Sequence, residues 1–480
     1  MVQVSSPPRT LLWFRGKDLR VADHPALAEA LAQGGDLICI FVLDRHFFAP
    51  ERARELPHRI QFLLASLKSL EANLAHLGSK LFVVPGRSVE VVLELAARWR
   101  VDRVLALRWT EPVGVARDRK VGDALRRAGI RFDLLEGDTL APPGSVLNGE
   151  GRLHAVFTPF SRAFTRSVEV GRPLAAPKTL PPPPPDLDPV ATVPVPSPED
   201  LGLAINPELL PGGERAARER LRAFVDRALA AYPEDRDRMD VEGTSRLSQD
   251  FKFGTLSVRA AWDAAGALAE AAPEAVRKFR NELLWREFAY HWLAERPDLL
   301  EKPFRPEFEG FPWRQDEGHF QAWAEGRTGY PVVDAAARQL LRTGFVHNRA
   351  RMIAASFLTK HLAIDFRRGE AHYLTWLTDG DWAVNTMSWQ WSAGCGCDAQ
   401  PWFRVFNPVL QGGKFDPDGA YVKRFVPELA ELDPRWIHQP WAAPDSVRRR
   451  LDYPAPVVEH TAAREAFLAL AKAHVKAPAP

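Results

Sequence analysis

Cysteine is scarce: only Cys39, Cys395 and Cys397 occur in a chain of 480 residues. Three thiols cannot frame a disulfide scaffold and are too sparse for a structural zinc site, and no other metal-ligand set stands out. Cys395 and Cys397 flank one glycine and read as structural loop residues. Absent too is any apolar run near the roughly 20 residues that a spanning helix needs, so no membrane partner is expected. The opening MVQVSSPPRT has neither a basic n-region nor an apolar core, so no secretory signal is read and cytoplasmic residence is expected. Charge of one sign is also lacking. The 63 basic and 61 acidic side chains leave a net +2, so affinity for a polyanion must come from a local basic surface.

What is present is an ordinary globular balance, 46% hydrophobic and 26% charged, in a length that allows roughly three domain-sized units. Two residue types stand out, with 41 prolines and 15 tryptophans. All the tryptophans except Trp13, Trp99 and Trp109 lie beyond residue 260, where each ring must be buried or stack on something flat.

Between residues 10 and 140 short apolar runs alternate with helical patterns: Leu11 to Phe14, Leu37 to Leu43, Leu81 to Val84, Val104 to Leu107 and Ile130 to Leu135. Asp23 ahead of Pro25 reads as an N-cap and first turn, and Val92, Leu95, Ala96 and Trp99 recur at helical spacing. The pattern predicts a Rossmann-like α/β domain with a parallel sheet over 1–140. Its first turn, Phe14-Arg15-Gly16-Lys17-Asp18, lacks the G-x-G-x-x-G of dinucleotide sites, which argues against a nicotinamide dehydrogenase. Residues 141–213 read as an interdomain linker, proline-rich from Pro173 to Pro211, with five consecutive prolines at 181–185 that favour polyproline II. Residues 214–480 read as an all-α domain, with helices expected at 214–231, 257–271, 274–295, 319–326, 331–342, 346–363, 369–378 and 460–475.

Several polar constellations fall in that second half. Tyr232 precedes Glu242-Gly243-Thr244-Ser245-Arg246-Leu247-Ser248, where three hydroxyls beside a glycine can offer donors to phosphate; an ordinary Ser/Thr-rich cap reads the same way. Glu282, Trp285 and Arg286 share one helix face at i, i+3 and i+4, as a salt-bridged surface stripe also would. In His347-Asn348-Arg349-Ala350-Arg351-Met352 the residues Asn348, Arg351 and Met352 share a face, with Arg349 directed elsewhere. Asp379-Gly380-Asp381 sets two acids in a turn, and Asn385 lies four residues before Trp389.

In order along the chain, LLWFRGKDLRVADHPAL, VEGTSRLS, NELLWREF, TGYPVVDAAARQL, HNRARM and DGDWAVNTMSWQW through FRVFNPVLQGGKFDPDG resemble the photolyase/cryptochrome family, most closely its class I cyclobutane pyrimidine dimer photolyases. The likeness spans nearly the whole chain. It implies that the helical domain holds FAD, active as FADH⁻, and that the α/β domain holds an antenna chromophore. Tyr232, Thr244, Ser245, Arg246, Leu247 and Ser248 would bind the FAD phosphates and ribityl region, with Phe279, Glu282, Arg286 and Asn348 alongside. Arg351 would pair with Asp379 beside the flavin, Asp381 would accept from the ring edge, and Asn385 would face N5.

The substrate implied is DNA containing a pyrimidine dimer, flipped out of the stack as photolyases are described to do. Trp285 would stack on it, Glu282 would hydrogen-bond a thymine carbonyl, Asn348 and Met352 would line the pocket and Trp391 would close it. Arg236, Arg349 and Gln411 would position the DNA backbone. Excited FADH⁻ would pass one electron to the dimer, the cyclobutane ring would open, and the electron would return. Relatives acting on (6-4) photoproducts tend to have histidines at Asn348 and Met352, so HNRARM favours cyclobutane dimers.

Two departures stand out. The family's photoreduction relay uses three tryptophans, and here Trp389 and Trp313 match the inner and outer positions while Phe366 occupies the middle. The relay is therefore broken or detoured, with Trp376 one candidate. In the antenna region, Glu111-Pro112-Val113-Gly114 with Arg117-Asp118 is more similar to deazaflavin-binding relatives than to folate-binding ones, so a deazaflavin or flavin is expected over a folate. No protein partner is evident, and a monomer is expected. A cryptochrome-like blue-light photoreceptor without repair activity is the competing reading. The short tail after the last helix speaks against it. A generic two-domain nucleotide-binding protein is a third reading, which flavin colour would exclude.

Overall fold

In the computed structural model, which describes residues 8–475, the five apolar runs near the start are the strands β1 (Arg9–Phe14), β2 (Asp36–Leu43), β3 (Leu81–Pro85), β4 (Arg103–Leu107) and β5 (Arg131–Leu135). The opening segment read for a secretory signal lies largely outside the described residues. The strands form one sheet in the order β3-β2-β1-β4-β5, every pair parallel. Side chains alternate across it: Leu12 and Phe14 join the core under the Pro25–Gln33 and Pro57–His76 helices, while Leu11 and Trp13 join the one under Ser88–Arg98 and Pro112–Arg127. Burial on both faces explains why β1, β2 and β4 read as continuous apolar runs, while the edge strand β5 is only half-buried.

The first helix corrects one expectation. Its N-cap is His24, whose ring accepts from the Leu27 amide at 3.1 Å, and not Asp23. Asp23 has φ +50 and gives its carboxylate to Arg259 and to the Leu174 amide, so a long-range ion pair has claimed the side chain that local sequence assigned to the cap.

Two compact units make up the chain. The first comprises the segment ending at Leu153, Ser161–Arg227 and Ser245–Pro297; the second comprises His154–Phe160, Ala228–Thr244 and the chain from Asp298 onward. In the first unit the proline-rich connector follows the sheet, the Val193 amide donating to the Val83 carbonyl at 3.0 Å and Leu180 and Val195 entering the core. The Phe157–Ser167 helix, which the linker reading lacked, buries Phe157, Phe160 and Phe164 at i, i+3 and i+7. Gly254, with φ +60, brings its backbone against Lys17, where a Cβ would sit 1.9 Å from the Lys17 carbonyl oxygen.

The second unit is built on one apolar core shared by the helices Pro331–Thr343, Asn348–Ser356, Phe366–Trp376 and Trp382–Ala393. The helix expected over 346–363 is shorter, passing at Phe357–His361 into a π-helical turn. In that turn Lys360 is fully buried, its ammonium donating to the Arg404 carbonyl at 2.8 Å. The Trp382–Ala393 and Pro408–Phe415 helices were not read from sequence; the former is buried on most sides, Asn385, Thr386, Gln390 and Ser392 included, and shows no apolar helical stripe. Among the described residues no helix is long and apolar enough to cross a membrane, and no three His, Cys, Asp or Glu side chains group as metal ligands.

Candidate functional site

Of the expected site residues, the first unit holds a turn and one helix face. Arg246 has φ +52, Leu247 follows in the right-handed region (φ −99, ψ 0), and Ser248 opens the short helix Ser248–Phe253. A left-handed residue followed by a right-handed one turns successive backbone N–H groups to the same side, the concavity that receives anions. A non-glycine residue there costs about 1–2 kcal/mol, which the surrounding structure must offset. The turn fits a dinucleotide's pyrophosphate.

On the Pro273–Glu295 helix the expected common face divides by depth. Glu282 and Trp285 are half-buried, and Trp285 meets Phe288 edge-on at 5.7 Å. Arg286 turns inward, its guanidinium bonding the Asp138 carboxylate at 2.5 Å and carbonyl at 2.8 Å and lying 4.2 Å over the Tyr290 ring. Next to it Glu287 accepts from the Leu140 and Ala141 amides, and burial pushes its carboxyl up to about 7. Phe279 is buried against Phe224 at 4.8 Å.

The other expected residues lie in the second unit. Tyr232 is buried with Arg236 over its ring at 5.5 Å. On the Asn348–Ser356 helix, Asn348 is exposed and its amide reaches the Met352 sulfur at 3.7 Å, as one-turn spacing allows. Arg349 leaves that face for Asp237 at 2.9 Å and lies over Phe415 at 4.3 Å. Arg351 grips both oxygens of Asp379, at 2.8 and 3.2 Å, and donates to the Val346 carbonyl at 2.8 Å. Nη2 on the carboxylate and Nε on the Val346 carbonyl together fix the guanidinium plane.

Asp381 is the N-cap of the Trp382–Ala393 helix, accepting from the Val384 amide at 3.1 Å. One turn on, Asn385 is buried and donates its amide N–H to the Glu370 carbonyl oxygen at 3.2 Å. The Glu370 carboxyl in turn accepts from the Thr386 hydroxyl, and burial pushes it up to about 7. Trp389 is buried and Trp391 half-buried on the same helix. Gln411 is half-buried beside Leu410, which is 69% exposed. Trp313 meets Phe366 edge-on at 6.5 Å.

With these positions fixed, comparison with known proteins is decisive. Residues 10–184 match the family DNA photolyase, and residues 279–473 match the FAD binding domain of DNA photolyase. The chain is 44% identical to a deoxyribodipyrimidine photo-lyase of Thermus thermophilus over 88% of this chain and 94% of that one. It is 39% identical to the Agrobacterium fabrum photo-lyase, covering 96% of each. A crystal structure of a bacterial class III photolyase from Agrobacterium tumefaciens superposes with a TM-score of 0.90 at 37% identity, covering 99% of this chain and 100% of that one. The chain belongs to the DNA photolyase family. It has the family's parallel α/β domain and helical FAD-binding domain, and its activity is that of a deoxyribodipyrimidine photo-lyase.

The photolyase sheet changes direction of winding between β1 and β4, where open α/β sheets place ligands outside the carboxyl ends of the strands. Buried charge crowds that end. Lys17 reaches Glu111 at 2.9 Å and Tyr290 at 2.5 Å, Lys252 reaches Glu111 at 3.2 Å, and Arg15 reaches Asp118 at 2.6 Å. Arg117 lies 4.4 Å over Trp109 and 5.0 Å over Trp13, and desolvation, with Arg15 close by, lowers it to about 10. Trp109 packs so tightly on Gly114 that a Cβ there would lie 2.6 Å from its ring.

Three site features of this photolyase escaped the sequence. Asp138, the partner of Arg286, lies 148 residues away with no local signal. Glu370 could have been found as a lone acid on the buried side of the Phe366–Trp376 helix. Trp323 and Tyr373, which meet Trp389 at 5.9 and 5.1 Å, gave only the general sign of tryptophan density.

Proposed function

We propose that this photolyase acts on cyclobutane pyrimidine dimers in DNA, with FAD in the reduced form FADH⁻. When bound, reduced FAD supplies the light-excited electron that opens the cyclobutane ring. The chain's own residues hold, orient and exclude water. The turn at Arg246–Leu247, with Tyr232, Thr244, Ser245 and Ser248, takes the phosphates, and Phe279 and Arg286 support that side. Arg351 and Asp379 form a rigid polar pair toward the ring system, and Asp381 accepts from the ring edge.

One observation carries the redox reading. Asn385 spends one amide N–H on the Glu370 carbonyl, which orients the side chain and leaves its oxygen, beside the second N–H, to meet a ligand. An acceptor suits a ring nitrogen that bears hydrogen, which is the reduced flavin, and an amide supplies no proton of its own.

For the lesion, Trp285 stacks on the flipped bases, Glu282 hydrogen-bonds a thymine carbonyl, Asn348 and Met352 line the pocket, and Trp391 closes it. Glu282 is held protonated once the lesion excludes water, so that it can donate to the reduced dimer. Arg236, Arg349 and Gln411 contact the DNA backbone. We assign residues 1–140 to antenna binding, 141–213 to the connector and 214–480 to FAD and lesion binding, in a cytoplasmic monomer. The antenna is a deazaflavin or flavin. Trp109 on Gly114 supports this, because it leaves no room there for a larger polar side chain. The test is to illuminate the reduced holoenzyme with a dimer-containing oligonucleotide and count restored thymines. A yellow protein that leaves the dimers intact is a photoreceptor and refutes the assignment.

A further inference from the structure

We infer that Trp389 is re-reduced by Trp323, with Tyr373 stacked beside it, and not along the line through Phe366. The inference rests on the reading above that the protein holds FAD with Trp389 as the inner member of its photoreduction relay. Phe366, which meets Trp313 at 6.5 Å, stands where the family's relay has its middle tryptophan, and its benzene ring, without a heteroatom, is far harder to oxidise than an indole. Trp389 has better neighbours. Its ring meets Trp323 edge-on at 5.9 Å and Tyr373 edge-on at 5.1 Å, and Trp323 and Tyr373 stack at 5.9 Å with planes 19° apart. The three rings form a closed, buried triangle in the second unit. Such contact is where short-range electron transfer is fastest, and a stacked pair spreads and stabilises a cation radical.

The chemistry balances with one electron and no internal proton. Once Trp389 has lost an electron under light, Trp323 transfers one to it, so Trp389 returns to neutral and Trp323 is oxidised. The Trp323 indole N–H donates to the Ala354 carbonyl at 3.0 Å, and a peptide carbonyl does not take up a proton, so the radical stays cationic. Tyr373 cannot be the final site. Oxidising it requires loss of its phenolic proton, its hydroxyl is buried with no hydrogen-bond partner among the described residues, and burial pushes its pKa upward. His372 and Phe320 flank Trp323 at 5.5 and 5.9 Å and are partly exposed, which gives an external reductant a short path. A thiol then supplies the replacing electron and releases its own proton to water.

The experiment uses the flavin-loaded full chain, oxidised and kept anaerobic with dithiothreitol under blue light. Loss of oxidised-flavin absorbance reads the rate, and electron paramagnetic resonance of frozen illuminated samples reads which ring carries the radical. Trp323→Phe should slow bleaching by about tenfold or more at equal flavin content, and by more than Trp313→Phe does. It should also remove a signal that narrows on indole deuteration. Phe366→Trp added to Trp323→Phe should restore the rate, which a folding defect would not permit. Wild-type bleaching in Trp323→Phe, a larger loss in Trp313→Phe, or no rescue by Phe366→Trp would overturn the relay. Wild-type bleaching in Trp389→Phe would instead refute the reading of Trp389 as the inner member of the relay.

Discussion

Gly369 lies inside the Phe366–Trp376 helix at the point where Trp389 closes against it. A methyl group at position 369 would come within 2.3 and 2.4 Å of two Trp389 ring carbons and 2.6 Å of a Leu358 methyl. Gly369→Ala therefore sets two effects against each other. Alanine is favoured over glycine in a helix interior by about 1 kcal/mol. Overpacking a filled core costs about 1–3 kcal/mol. Trp389 is wedged between Trp323 and Tyr373, and Leu358 is fully buried, so neither has a free direction in which to yield. The clash wins, and a net loss of up to about 2 kcal/mol is expected. Urea unfolding followed by tryptophan fluorescence should show an earlier midpoint with an unchanged slope. A midpoint equal to or later than wild type would show that Trp389 moves freely, and the argument from a tightly packed ring triangle would fail with it.

Other outcomes follow from the same geometry. Glu282→Gln should weaken dimer binding or lower repair yield, and equality with wild type in both would remove Glu282 from the lesion site. Asp379→Asn should reduce FAD retention and cost about 2–3 kcal/mol by leaving Arg351 without its counter-charge, less than the roughly 3–5 kcal/mol for breaking a fully buried pair because Arg351 is 25% exposed; full retention on a desalting column would contradict this. Phe366→Trp alone should speed flavin bleaching by opening the direct line to Trp313, and an unchanged rate would show that Phe366 limits nothing. Glu370 keeps its proton to about pH 7 when folded, against an ordinary 4.5, so folding takes up a proton across that window. Stability should therefore fall as pH rises from about 4.5 to 7, and the wild-type-minus-Glu370→Gln difference should carry that slope; a difference rising with pH would refute the buried, protonated state.

Much was legible from residues alone because it depends on local periodicity and on strings of adjacent residues. The five apolar runs became five strands, each within a residue or two of its expected bounds, and burial on both faces gave β1, β2 and β4 their unbroken apolar signature. The helices at 331–342 and 460–475 announced themselves by an amphipathic repeat, whereas Trp382–Ala393 did not, being buried on most sides with polar residues among the apolar ones. The ordered motifs were enough to name the family.

The sequence by itself determined the kind of fold, the cofactor class and the presence of Phe366 where an indole was expected, since each is written in residue identity. Only the tertiary structure decided that Asp23 belongs to Arg259, that Arg286 turns inward to Asp138, that the Asn385 amide is oriented by Glu370, and that Trp389 leans on Trp323 and Tyr373. Each of these contacts joins residues from different elements of the chain. Their partners are chosen by packing and by the cost of leaving a buried charge or amide unpaired, which no local pattern records.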